Sequence, residues 1–282
     1  MKQRLLVAAI GVPVLLYVVP LLIVVLVILP PVAAWILTAA IAAAAAWELL
    51  HTAGKHVTPL VYALTMLMAV LTVAYISMDG WWTAVGDRLY FACAYVFVAA
   101  LFLIAVVTHG KETALPFATV AVCIVGGLLF PAMYSCIALL RNVSPAFVLM
   151  PFVIAFIGDS FSMLGGMAFG HKKFAPHVSP NKTWAGFLAG PVGSAAGMVL
   201  LGLVAKLVWQ MGLPLWFLAV IGVVANLFGQ LGDLSTSLIK REAGIKDYSH
   251  IFLTHGGVLD RFDSTLFIAP VVYAMLFVLE KL

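Results

Sequence analysis

Three carboxylates stand where they could do chemistry. Asp260 and Asp263 flank Arg261 in VLDRFDS (258–264), and Asp233 lies in NLFGQLGDLSTSLIKR (226–241). Asp260 and Asp263 are three positions apart, so in a helix they project from one face. In the second segment Asn226, Gln230, Asp233, Ser237 and Lys240 with Arg241 recur at steps of three and four, which is one helical face at about 3.6 residues per turn. Two or three oxygens from Asp233, Asp260 and Asp263 would make a hard site suited to Mg²⁺, which keeps waters and shares phosphate oxygens with its substrate. A capped helix with a local ion pair would equally account for DRFD alone. A polar seam between helices would account for the two amides better than for an acid deep in an apolar segment, followed by a cationic pair.

Basic loops accompany the acids. GHKKFAPHVSPNKTWAG (170–186) carries Lys172, Lys173 and Lys182 among Ser179, Asn181 and Thr183, donors suited to an anionic, phosphate-bearing ligand. Ordinary loop charge covers Lys172 and Lys173 but less readily the compact SPNKT. Gly170 is followed by His171 rather than Lys, so the Walker A pattern is not met. EAGIKDYSHIFLTHGGVLDRFD (242–263) adds Lys246, Asp247 and His255, with Gly256 and Gly257 free to turn sharply or to approach a phosphate closely. A further acid, Asp159, has Ser162 three residues on, and reads equally as a site residue or a buried hydrogen-bonded one. The set fits phosphoryl or nucleotidyl transfer, where positioning and charge neutralisation supply most of the rate.

The elements that must hold these residues are membrane helices. The chain is 65% hydrophobic and 9% charged, against about a quarter charged in a soluble domain. At about 20 apolar residues per crossing, helices are expected near 5–29, 31–50, 59–77, 89–108, 116–140, 145–168, 186–209, 213–236 and 264–281. The expected fold is therefore an all-α polytopic membrane protein of about nine spans. The first segment reads as a retained helix rather than a cleaved signal, and Pro13, Pro20, Pro30 and Pro31 allow the first two to be broken or re-entrant. A cytoplasmic N-terminus leaves only Arg88, Arg141 and Lys281 outside, with Lys206 within a span, and puts the other Lys and Arg and all His inside. The site is thus expected on the cytoplasmic side of the plasma or inner membrane, with at least one lipid substrate. Residues 1–144 would form a scaffold with possible dimer contacts, and 145–282 a catalytic region with cytoplasmic loops 169–185 and 240–263. Cys93, Cys123 and Cys136 have neither metal nor redox spacing and read as packing residues.

SLIKREAGIKDYSHIFLTHGGVLDRFD (237–263) closely resembles the signature of phosphatidate cytidylyltransferases, or CDP-diacylglycerol synthases. Gly232–Asp233 and SPNKTWAG look like the companion motifs of that family, and the likeness covers about residues 155–270. The resemblance implies that CTP and phosphatidic acid give CDP-diacylglycerol and pyrophosphate. It implies a metal centre of Mg²⁺, with room for a second cation, on Asp233, Asp260 and Asp263. Lys240, Arg241, Lys246 and Arg261, with Ser179, Lys182 and Thr183, would hold the phosphates, and Asp247, His255, Gly256 and Gly257 would belong to the nucleotide site. A homodimer in the bilayer is favoured and no nucleic-acid partner is expected. The chain departs from the family pattern at two places: Ala185 stands where Glu is usual, and Leu253–Thr254 where Pro-Gly is usual. A CTP- or ATP-dependent lipid-alcohol kinase could use the same chemistry. An ion-coupled transporter relaying cations through Asp159 and Asp233 lacks the support of visible inverted repeats.

Overall fold

The computed structural model describes residues 27–28, 30–78, 84–210, 212–251 and 256–281. Among these, eight helices are long and apolar enough to cross a membrane, the helix being the open-chain form that satisfies backbone groups internally in hydrocarbon. The segment expected over 5–29, with Pro13 and Pro20, lies outside the described residues except at its end.

Helices α1 (Pro31–His51) and α2 (Pro59–Ser77) begin where their prolines permit, with Pro in the first turn. At that position the missing N–H has no intrahelical partner to lose, so Pro31 starts a helix rather than breaking one. Thr58 caps α2, its Oγ1 accepting from Val61 N. After α3 (Ala84–Thr108) comes a span with three parts: α4 (Phe117–Ile124), a π-helical stretch Val125–Leu129, and α5 (Phe130–Val143). Pro131 accounts for the widening. It offers no N–H to the Gly127 carbonyl four residues back, and the ladder slips by one, Phe130 N donating to Val125 O. The Gly127 carbonyl is met from α2, where Thr72 Oγ1 lies 3.1 Å away.

Helix α6 (Leu149–Phe169) leads into strands β1 (Lys173–Ala175) and β2 (Ser179–Thr183), then α7 (Trp184–Trp209), α8 (Leu215–Glu242) and α9 (Val258–Lys281). The structure is helical as expected, with one short hairpin added. The segment expected as an open loop pairs Lys173 with Thr183 and Ala175 with Ser179. Pro176 supplies the preset φ of a turn whose Val178 N donates to Ala175 O at 3.2 Å. Pro191 sits inside α7 and orphans the Phe187 carbonyl, which Gln230 Nε2 of α8 reaches at 3.1 Å. Helix α8 continues past its expected end at 236, because its polar face runs on to Lys240.

Contacts divide the chain into two compact units, residues up to Leu139 with Ala243–Arg261, and Leu140–Glu242 with Phe262–Leu282. The first is cored by Leu50, Val61, Met68, Phe97, Leu101 and Cys123. Met150, Ile154, Met198, Leu218, Ile221, Ile268 and Val272 core the second.

Candidate active site

The stripe on α8 turns inward, with Asn226, Gln230, Ser237 and Lys240 all buried. An unpaired amide in hydrocarbon costs free energy, and here both are paired: Gln230 Nε2 donates to Asn226 Oδ1 at 2.7 Å as well as to the Phe187 carbonyl. The amides therefore join helices. Asp233 does something else. Its Oδ2 forms an ion pair with Lys182 Nζ of β2, and its Oδ1 accepts from Ser237 Oγ at 3.3 Å. Asp263 of α9 accepts from Ser264 N at 2.7 Å, and its second oxygen lies 3.4 Å from Thr236 Oγ1. The charges of Asp159, Asp233 and Asp263 act on one another, opposed by Lys182 and Lys240.

A cavity of about 460 Å³ opens beside this cluster. Asp159, Ser162, Lys173, Asn181, Lys182, Thr183, Gln230 and Asp233 give it polar walls, and Met163, Met167, Phe174 and Phe187 an apolar one. Two local devices aim Lys182. Thr183 Oγ1 caps α7 by accepting from Gly186 N at 3.2 Å, so strand and helix meet at the next residue. Phe174 stacks on Phe187 with centroids 4.5 Å apart and meets Trp184 edge-on at 4.6 Å, which packs the hairpin onto α7. Ser162 Oγ is buried without a hydrogen-bond partner. Buried donors are ordinarily paired, so a hydroxyl on the cavity wall is suited to a ligand.

The model of the cytidylyltransferase family matches residues 2–279. This chain belongs to the cytidylyltransferase family. Among its relatives, the phosphatidate cytidylyltransferase of Bacillus subtilis is 40% identical over 124 residues, covering 44% of this chain and 45% of the relative. That of Rickettsia felis is 33% identical over 165 residues, covering 56% of this chain and 71% of the relative. That of Staphylococcus saprophyticus is 37% identical over 130 residues, covering 46% and 48%. With the Bacillus and Staphylococcus proteins, the chain spans about half of the relative's length.

For this cytidylyltransferase-family chain, the structure sorts the residues singled out from sequence. Asp233, Asp263, Lys182, Thr183 and Lys240 belong to the second unit. So does Ser179, half-buried at the start of β2, and so does Arg241, whose Nε donates to Val178 O at 3.3 Å across the hairpin turn. Asp260, Arg261, Lys246, Asp247, Gly256 and Gly257 belong to the first. There Asp260 is an amide acceptor, its Oδ2 taking Tyr248 N at 2.8 Å and Gly257 N at 2.9 Å, while Lys246, Asp247 and Arg261 are exposed. His255, Leu253 and Thr254 lie outside the described residues. Among the described residues no three His, Cys, Asp or Glu side chains converge as a ligand set. Thr236 and Glu48 are not among the residues that the sequence singles out, whereas Ser162 and Asn181 are. Asn181 had its place in SPNKT as a signal, Ser162 its spacing from Asp159, and Glu48 its charge within an apolar span; Thr236 lies beside the stripe and had none.

Proposed function

We propose that this chain transfers the cytidylyl group of CTP to phosphatidic acid. A lipid phosphate oxygen attacks the α-phosphorus, the bond to the bridging oxygen breaks, and pyrophosphate leaves with the electron pair; CDP-diacylglycerol stays in the membrane. Family membership and the relatives' names support the substrates. The observation that carries the reading is the ion pair on the cavity wall between Lys182 of the hairpin and Asp233 of α8, a helix long and apolar enough to cross a membrane, because an acid within such a helix calls for a functional reason. Lys173, Asn181 and Lys182 would contact phosphate oxygens and Ser162 Oγ would donate to one. Lys182 would exchange Asp233 for phosphate as nucleotide enters. Phosphatidic acid is already ionised at neutral pH, so the attack needs no strong general base. The loop distribution of Lys and Arg supports a reaction on the cytoplasmic side.

The donor chemistry fits a hard divalent cation such as Mg²⁺. Asp233 and Asp263 would hold it through carboxylate oxygens, with phosphate oxygens and water completing the shell, as Mg²⁺ prefers. It would supply neutralisation of the charge that develops on the leaving pyrophosphate. The test is detergent-purified chain with phosphatidic acid, labelled CTP and Mg²⁺, scoring CDP-lipid and pyrophosphate together. Equal yields of both are expected. Release of CDP without CDP-lipid would replace this reading with a lipid kinase.

A further inference from the structure

Glu48 of α1 is fully buried, 0% exposed. Its Oε1 accepts from Ser249 Oγ at 2.5 Å and from Val258 N at 2.8 Å, and its Oε2 from Leu259 N at 2.6 Å. Val258 and Leu259 are the first residues of α9, and the opening N–H groups of a helix have no carbonyl within it to receive them. A side chain just before the helix ordinarily takes them. Here those positions are Gly256 and Gly257, which have none, so the acceptor comes from α1, and its negative charge also suits the helix N-terminus. Asp260 takes the adjoining amide, Gly257 N, from within the first turn.

The glycine pair follows from the two carboxylates. A Cβ on Gly257 would clash with Glu48 Oε1, so the carboxylate would have to move away. Gly256 has φ +78° and faces Asp260, whose Oδ2 lies 2.8 Å from the Cβ position. Each glycine thus lies beneath one acid, and a side chain at 257 would drive Glu48 off the helix start.

We propose that Glu48 is a positioning residue for the reaction: it fixes the start of α9, and with it Asp260 and the helix that goes on to carry Asp263. The inference rests on the proposed cytidylyl transfer, and Glu48 itself touches no substrate.

The test uses purified full-length chain carrying Glu48→Ala, Glu48→Gln, Gly257→Ala, or Glu48→Ala with Gly257→Ala. Hydrogen exchange at Val258 and Leu259 should quicken in each variant. Mn²⁺ affinity, read by electron paramagnetic resonance, and kcat should each fall by about tenfold or more, as for loss of a residue that orients metal ligands without touching the metal. KM for CTP should move less than kcat. The double variant should lose little beyond either single one, because both break the same contact. Glu48→Gln keeps the side-chain volume and decides the matter if Glu48→Ala does not fold. Quickened exchange with unchanged Mn²⁺ affinity and kcat would make Glu48 purely structural and overturn the proposal, as would unchanged exchange. An unsubstituted chain that makes no CDP-lipid would instead overturn the activity, leaving the exchange and Mn²⁺ readouts to judge Glu48.

Discussion

Replacing Lys182 with Met keeps the length of the side chain and removes the ammonium that balances Asp233. The two partners are only 27% and 29% exposed, so the pair falls between a surface pair worth about 0–1 kcal/mol and a buried one whose breaking costs about 3–5 kcal/mol. About 2 kcal/mol is the corresponding loss of stability, with Asp159 and Asp263 adding repulsion on the stranded carboxylate. At about 2–4 °C per kcal/mol, melting should fall by roughly 4–8 °C. A lost charge-assisted contact to phosphate is worth about 1.5–3 kcal/mol, a rise of about tenfold to hundredfold in apparent KM for CTP, with kcat changed less. The double variant Lys182→Met with Asp233→Asn separates the two roles. Removing the stranded charge should restore most of the melting temperature, while turnover falls far below that of Lys182→Met because Asp233 is gone. Thermal melting in detergent and initial rates against CTP measure both. A double variant that melts no higher than Lys182→Met would refute the charge-balance argument, and an unaltered CTP dependence in Lys182→Met would remove the hairpin from the nucleotide site.

Asp263→Asn should cut kcat by about a hundredfold to a thousandfold, the scale of losing one group that stabilises developing charge, at an unchanged melting temperature; normal turnover in folded protein would reject its role. Thr236→Val removes the hydroxyl beside Asp263 and should raise the Mg²⁺ concentration for half-maximal rate by about tenfold, read by metal titration. Ser162→Ala removes a buried hydroxyl that has no partner, so melting should hold or rise slightly while substrate affinity drops by about fivefold to tenfold, the worth of one hydrogen bond. Unchanged affinity would mean that the cavity wall at Ser162 is not used.

What could be read from sequence was what local rules govern. The face from Asn226 to Arg241 is a periodicity, and the structure keeps it as one helix; α1 and α2 start at prolines because the first turn tolerates them. The hairpin was not legible, because strands of three and five residues with no alternation of polar and apolar character give no period to detect. The function of Glu48 was hidden for another reason: its partners lie 201 to 211 positions away, and nothing local relates an acid in α1 to a pair of glycines before α9. DRFD shows both sides. Its two acids share a helix as the spacing requires, yet Asp260 receives amides at the helix start while Asp263 lies beside Thr236.

Each unit also contains a proline within a membrane helix whose missing N–H is answered from the neighbouring helix: Thr72 for the carbonyl freed by Pro131, and Gln230 for that freed by Pro191. A carbonyl stranded in hydrocarbon is costly, whereas a helix with its ladder intact has nothing to strand. Leucine at 230 is therefore most severe while Pro191 remains, and alanine in place of that proline relieves the part of the cost that comes from the Phe187 carbonyl, leaving the part that comes from Asn226 Oδ1. In lineages descending from this chain the two members of each couple should be lost or kept together, so that positions on different helices, with no chemistry in common, share one history of substitution.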